Sequence, residues 1–389
     1  MAAAAEGDVL WRPSPAFRER AELTRYMRWL ETARGLEFDT YEALWRWSVT
    51  DLEAFWASLW DFFGIRASVP YSRVLASRAM PGAKWFEGAE LNYAEHVFRH
   101  DPGEHAAIVH RSELRPPGEV SWGGLRRDVA AVAAAMRAMG IRRGDRVASY
   151  MPNIPETVVA MLACVSLGAV WSGCSPDMGS GAVVDRFKQI GPKLLFAVDG
   201  YRYGGKDFDR LAVVRDIVAA LPSLEHVALL PYLDAAATPA GMPGGVLWSA
   251  LAAAEAPLAF EQVPFDHPLW VCYSSGTTGL PKPIVHGHGG IVIEHLKTVS
   301  LHENLRPGDR LFWLSSTGWI VWNMLVGALL HGCTIVLYDG NPAWPDAGAI
   351  WRLIAETRTQ HFGCGAALFA GAMKAGIEPA QVADLSALE

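Results

Sequence analysis

The sequence predicts an α/β protein: two facing α/β subdomains with mainly parallel sheets covered by helices, preceded by a helical extension. Three observations carry this expectation. Short apolar strands alternate with amphipathic helices from about residue 104, the same rhythm restarts behind residue 287, and the first ninety residues differ in composition from both runs. Strands separated by helices pair in parallel, because the crossover returns the chain to the same edge of the sheet.

Residues 1–90 are rich in Trp, Phe and Arg, as in "YEALWRWSVTDLEAFWASLWDFFGI". Apolar residues at 44, 47, 52, 55, 56, 59, 60 and 63 approximate a helical stripe, with Ser48 or Thr50 as a cap in its middle. Residues 91–389 form the main body. There "SWGGLRRDVAAVAAAMRAMG" opens on a capping Ser121, repeats apolar residues at steps of three and four, and stops at Gly140. Strand "RVASYM", helix "PETVVAMLACVSLG", strand "AVWSG", helix "GAVVDRFKQIG" and strand "KLLFAV" follow. Residues 222–266, rich in Ala, Pro and Gly, read as a variable connection. The second run is helix "GGIVIEHLKTVSLHENL", strand "RLFWLS", helix "WNMLVGALLHG", strand "CTIVLY" and helix "AGAIWRLIAETR". The chain then reaches its last residues without an evident closing strand. A site is expected in the crevice between the two subdomains.

Composition narrows the function. The chain has 389 residues, 51% of them hydrophobic, so it builds a large core. A net charge of −7, with Lys and Arg scattered, lacks the basic field that nucleic acid requires. Five widely spaced cysteines form no disulfide framework and no C-x-x-C pair, which suits a reducing cytoplasm. The N-terminus has no signal-peptide pattern. The apolar stretch 319–338 contains Asn323, His331 and an internal glycine, so it reads as buried helix, turn and strand rather than a membrane insertion. Partners are therefore small molecules, and nothing in the sequence sets an oligomeric state.

The chemistry concentrates in "YSSGTTGLPKPIVHGHGG", residues 273–290, directly behind the apolar "LWVCY". Small and hydroxylated residues after a strand leave several backbone N–H groups free to converge on an anion, and Lys282 adds a point charge. The spacing departs from the Walker A loop, because Leu280 and Pro281 separate Gly279 from Lys282 and Pro283 follows. An ordinary Gly/Ser/Thr turn is the plainer alternative. His286, His288 and His295 lack a third ligand of clear spacing, so no metal site is assigned.

"YSSGTTGLPK" resembles the phosphate-loop signature of the acyl-adenylate-forming (AMP-binding) superfamily. "KWFEGAELNYAEHVF", "VDGYRYGGKDFDR" and "STGWIVWNMLVGALLHGCTIVLYDG" resemble its acetoacetyl-CoA synthetase branch, and "LWRWSVTDLEAFWASLWDFFGI" the extension shared with acetyl-CoA synthetases. The resemblance implies the large N-terminal domain of an adenylate-forming enzyme. Its reaction uses ATP and Mg2+ to make an acyl-adenylate and coenzyme A to displace AMP. It implies that Ser274, Ser275, Gly276, Thr277, Thr278 and Gly279 wrap the phosphates, and that Thr278 and Lys282 act in catalysis. Trp319, Ile320, Val321, Trp322 and Asn323 would line the acyl pocket, with Asn323 bonding a 3-oxo group; the same residues also read as the start of a buried helix. Arg202 and Lys206 would hold the 3′-phosphate of coenzyme A, or form a solvated turn.

The family's adenine and ribose contacts, its Mg2+-holding acid, its hinge and its mobile C-terminal domain have no counterpart among these residues. The resemblance therefore implies an adenylation domain incomplete at its C-terminus, a fragment with little ligase activity alone. Two other readings stay open: a synthetase for acetate, propionate or another short acid, and a non-catalytic nucleotide- or CoA-binding remnant.

Overall fold

The computed structural model describes residues 5, 7–9, 11–100, 105–253, 255–274 and 279–389. Two sheets dominate. In spatial order, the larger holds Val246–Leu247, His226–Leu230, Leu194–Val198, Arg146–Tyr150, Val170–Cys174, Pro268–Ser274 and Lys282–Gly287. Every pairing in it is parallel except the last, where Pro268–Ser274 and Lys282–Gly287 form an antiparallel edge. The smaller holds His361–Gly363, Arg310–Trp313, Thr334–Asp339, Ala106–Ser112 and Gly118–Ser121, again parallel but for one edge.

Strand alternation decides which core each residue joins. Along the larger sheet Val147, Leu194, Phe196 and Val198 enter a central core with helices Trp122–Ala138 and Pro155–Ser166. Ala148, Tyr150, Leu195 and Ala197 enter a second core with helices Ser180–Phe187 and Leu211–Ala220. The smaller sheet sends Ile108, Leu311, Ile335 and Leu337 to the central core. Its Val109, Phe312 and Val336 pack outward on helix Ala349–Glu356.

The helical rhythm is present, with four differences from expectation. The N-terminal stripe is two helices, Tyr41–Thr50 and Leu52–Phe62, and the cap between them is Asp51, whose side chain accepts the Ala54 N–H at 3.2 Å. Ser48 and Thr50 instead bond back to carbonyls of their own helix. A hairpin, Arg73–Ser77 and Lys84–Glu87, follows these helices. The 222–266 connection contains a full strand, His226–Leu230, paired in register with Leu194–Val198. Finally, His361–Gly363 closes the second run beside Arg310–Trp313. The 319–338 stretch is helix Ile320–Gly327, a tight turn ending in left-handed Gly332, and strand Thr334–Asp339. Among the described residues, no helix is long and apolar enough to cross a membrane.

The two subdomains are not simple sequential halves. Strands Ala106–Ser112 and Gly118–Ser121 precede the first run yet belong to the smaller sheet. The chain thus crosses between the sheets before the larger one begins.

Candidate active site

Strand Arg146–Tyr150 leads to Val170–Cys174 on one side, and the chain then returns to place Leu194–Val198 on the other. The connecting helices lie on opposite faces of the sheet, so a crevice opens beyond the carboxyl ends of the first two strands. A cavity of about 540 Å³ occupies this place, lined by Asn153 after the first strand and Ser175 to Asp177 after the second. The smaller sheet supplies the opposite wall with Ser315, Ser316 and Thr317 after one strand and Asp339 and Gly340 at the end of another.

Close contact between the sheets fixes the floor. Thr317, almost fully buried, donates its hydroxyl to the Met151 carbonyl at 2.8 Å. A Cβ at Gly173 would lie 2.9 Å from the Thr317 carbonyl oxygen, so only glycine permits this approach. The buried Trp322 donates its indole N–H to Asn153 Oδ1 at 2.8 Å, orienting that amide in the cavity wall. On the far side the Tyr232 hydroxyl donates to Asp339 Oδ2 at 2.6 Å and takes a bond from Ser112 Oγ at 2.6 Å. Burial raises the Asp339 carboxyl to about 6, against the opposing pull of the Tyr232 bond.

The five residues expected around the acyl group divide by burial. Trp322 and Asn323 are buried, whereas Trp319 is 59% exposed and Ile320 39%. Helix Ile320–Gly327 starts one residue after Trp319, so these side chains flank the loop that lines the cavity rather than forming its walls.

Arg202 and Lys206 lie on a hairpin, Gly200–Tyr203 and Lys206–Asp209, at the cavity mouth. Tyr201 and Tyr203 line the cavity, so alternation turns Arg202 to the opposite face. There its guanidinium grips Asp207 with bonds of 2.6 and 3.1 Å, while Lys206 is exposed.

The phosphate-loop residues Ser275, Gly276, Thr277 and Thr278 lie outside the described residues. On either side of them, Ser274 faces Lys282 across the antiparallel edge, and Gly279 has a φ of +102°, which glycine tolerates. Both flanks are tied to one neighbouring segment. The Tyr273 hydroxyl donates to the Arg186 carbonyl at 2.7 Å, and Gln189 donates its side-chain N–H to the Pro281 carbonyl at 2.9 Å. The loop leaves the same carboxyl edge as Ser175 to Asp177, one strand away, and Lys282 is exposed.

The histidines behind the loop serve packing. His286 Nδ1 accepts the Trp270 indole N–H at 2.9 Å, and the buried His288 Nδ1 accepts the Tyr93 N–H at 3.2 Å. Burial holds His288 and His295 neutral, down to about 3. Among the described residues no three His, Cys, Asp or Glu side chains gather into a metal site.

Sequence reasoning missed Asn153, Asp177, Thr317, Asp339 and Tyr232. All but Tyr232 lie within a few residues of the end of an expected strand, which is the positional signal that finds them. Tyr232 follows the strand concealed in the 222–266 stretch.

A family model described as "AMP-binding enzyme" matches residues 94–389, and one described as "Acetyl-coenzyme A synthetase N-terminus" matches residues 41–97. An acetoacetyl-CoA synthetase of Danio rerio is 39% identical, covering 98% of this chain and 58% of the relative. One of Rhizobium meliloti (strain 1021) is 40% identical, covering 97% and 58%. The solved structure of an acetoacetyl-CoA synthetase from Streptomyces lividans is 49% identical and superposes with a TM-score of 0.94, covering 98% of this chain and 59% of that one. The chain thus spans a little under three fifths of the length of these relatives. With a crevice between two sheets at the switch point and a family match that runs over the whole main body, the chain belongs to the AMP-binding enzymes.

Proposed function

We propose that these residues are the adenylation body of an acid–thiol ligase that joins acetoacetate to coenzyme A through an acetoacetyl-adenylate, releasing AMP and pyrophosphate. Residues 1–90 serve as its extension and 91–389 as the domain that holds the substrates. The observation that carries the reading is the 0.94 TM-score at 49% identity to an acetoacetyl-CoA synthetase over 98% of the chain. The cavity at the strand ends supports it, because it stands between the phosphate-loop edge and the hairpin of Arg202 and Lys206.

In this mechanism the residues from Ser274 to Gly279 are the ones proposed to bind the ATP phosphates, by the chemistry of their N–H groups and hydroxyls, and Lys282 brings an ammonium to them. Charge on the departing pyrophosphate is thereby met by hydrogen-bond donors and a cation, the electrostatic stabilisation such a transfer needs. Thr278 belongs to the same set. Mg2+ neutralises phosphate charge in such reactions, but no cluster of ligands for it exists among the described residues, so no step is assigned to it here.

The acid enters between the Thr317 loop and the Ser175–Asp177 turn. Trp319, Ile320 and Val321 flank it and Trp322 holds the Asn153 amide in place, while Asn323, expected as the donor to the 3-oxo oxygen, is buried outside the cavity lining. Arg202 and Lys206 grip the 3′-phosphate of coenzyme A at the mouth. The proposed substrates are small molecules, and the proposed location is the cytoplasm.

The test is product identity in the full-length protein. Acetoacetate-dependent formation of AMP and pyrophosphate, with acetoacetate preferred over acetate and propionate, is expected. Preference for acetate would reassign the acid. ATP cleaved to ADP without any acid, or saturable nucleotide binding with no turnover, would overturn the ligase reading.

A further inference from the structure

Among the described residues, the hairpin that carries Arg202 and Lys206 pairs with no other strand. A two-stranded ribbon alone is marginal in water; Tyr201 and Phe208 anchor its base on the central core, and the tip that carries the turn is held separately. The tip is Gly204 and Gly205, with φ of +62° and +73°, as a two-residue turn demands. Its outward N–H groups do not face water. Gly204 donates to Glu113 Oε1 at 3.0 Å and Gly205 to Glu113 Oε2 at 2.7 Å.

The same carboxylate accepts the Asn341 N–H at 2.7 Å, and the Glu113 N–H donates to the Asp339 carbonyl at 3.1 Å. Glu113 follows strand Ala106–Ser112 of the smaller sheet, whereas the hairpin issues from the larger one. One side chain therefore joins the two sides of the cavity mouth. The fit is close: a Cβ on Gly340 would lie 2.9 Å from Glu113 Cγ, and one on Gly205 would lie 2.6 Å from the Trp344 ring. Charged acceptors make the stronger hydrogen bonds, and three converge here on a partly buried carboxylate.

We propose that Glu113 is the positioning residue for thiol transfer. It fixes the hairpin against the Gly340–Asn341 turn and so sets where Arg202 and Lys206 meet the nucleotide phosphate of the incoming thiol. This rests on the reading of the hairpin as the coenzyme A grip. The effect falls chiefly on the thiol half-reaction: Tyr201 and Tyr203 of the hairpin share the cavity lining, but the acid enters between the Thr317 loop and the Ser175–Asp177 turn, and Tyr201 keeps its own anchor in the central core.

The test compares Glu113→Ala, Glu113→Gln and Arg202→Ala in the full-length protein, measuring KM for coenzyme A beside acetoacetate-dependent pyrophosphate–ATP exchange, which needs no thiol. Loosening a preorganised grip in Glu113→Ala is expected to raise KM for coenzyme A about tenfold, with exchange within about twofold of the parent. Glu113→Gln keeps the shape and the bonds to one oxygen but sets an amide N–H against Gly205, so its KM falls between the two. If Arg202→Ala raises KM and neither Glu113 variant does, the proposal fails while the grip stands. If no variant moves KM, the grip and the proposal fail together. If both Glu113 variants lose exchange as fully as thiol transfer, Glu113 is a fold residue and the proposal is wrong. Should the parent show no acetoacetate-dependent exchange, the ligase reading fails by itself. Calorimetric titration of the same proteins with coenzyme A then decides on Glu113, since weaker binding in its variants supports the proposal and equal binding ends it.

Discussion

Lys282 stands across from Ser274 at the neck of the loop, and its exposed position leaves the ammonium available to an anion. Replacing it with alanine removes one charge beside the loop, and on the scale of a lost transition-state donor this slows acyl-adenylate formation by about a hundredfold. Pyrophosphate–ATP exchange measures that step, and an unchanged rate would remove Lys282 from the mechanism. Arg202 presents the reverse situation, because Asp207 already occupies its guanidinium. A phosphate must compete with that carboxylate, and both groups are solvent-exposed, where such pairs hold weakly. Asp207→Asn should therefore lower KM for coenzyme A by about two- to threefold. A raised KM would show that Asp207 orients Arg202 rather than occupying it. Lys282 and Arg202 were singled out by two separate stretches that resemble the family's, whereas Glu113 and Tyr232 were singled out by nothing in the sequence. Their partners lie about 90 to 230 positions away, and no local pattern encodes such a meeting.

At the scale of elements, helices with a clear apolar period and a capping residue were the easiest to read. Trp122–Ala138 begins after Ser121, whose hydroxyl accepts the Gly124 N–H at 3.1 Å, and it ends just before left-handed Gly140. The N-terminal stripe misled because its period runs through Asp51 almost unbroken. Asp51 caps Leu52–Phe62, and Asp51→Ala should cost about 1 kcal/mol in urea unfolding, the usual worth of such a cap. An equal loss from Thr50→Ala, with none from Asp51→Ala, would restore the sequence-based assignment. Strand His226–Leu230 was hidden for another reason. It is five residues long and sits among Ala, Pro and Gly segments, and its strand character comes from the parallel neighbour Leu194–Val198.

Across the whole molecule, buried ionisable groups set the response to acid. His96 and His331 are held neutral to about 4, and His288 and His295 to about 3, chiefly by burial. Their folded values lie below the ordinary imidazole value of 6.5, so the unfolded chain takes up protons first. The stability they contribute is full above pH 6.5 and drains away as the pH falls toward 4. Asp339 acts in the opposite sense, since its carboxyl rises from 3.8 to about 6 and its contribution is lost as the pH climbs through that window. Four groups outweigh one, so urea midpoints should fall steeply from pH 6.5 to 4; a flat profile would contradict the burial of these imidazoles. Relative to an Asp339→Asn variant, the parent should lose about 3 kcal/mol between pH 4 and 6, at one pK unit to 1.4 kcal/mol. The parallel rhythm announced two sheets, but not the early crossover that gives Ala106–Ser112 to the smaller one.

That crossover bears on how the protein is made. Ser112 leaves the ribosome 227 residues before Asp339, its partner in the ladder. At common synthesis rates of about 5–20 residues per second, the Ala106–Ser112 strand waits roughly 10 to 45 seconds with one edge open. During that interval Gly118–Ser121 can cover only the other edge. The smaller sheet is therefore assembled late, around a strand born early, and the nascent chain is open to mispairing until Thr334–Asp339 arrives.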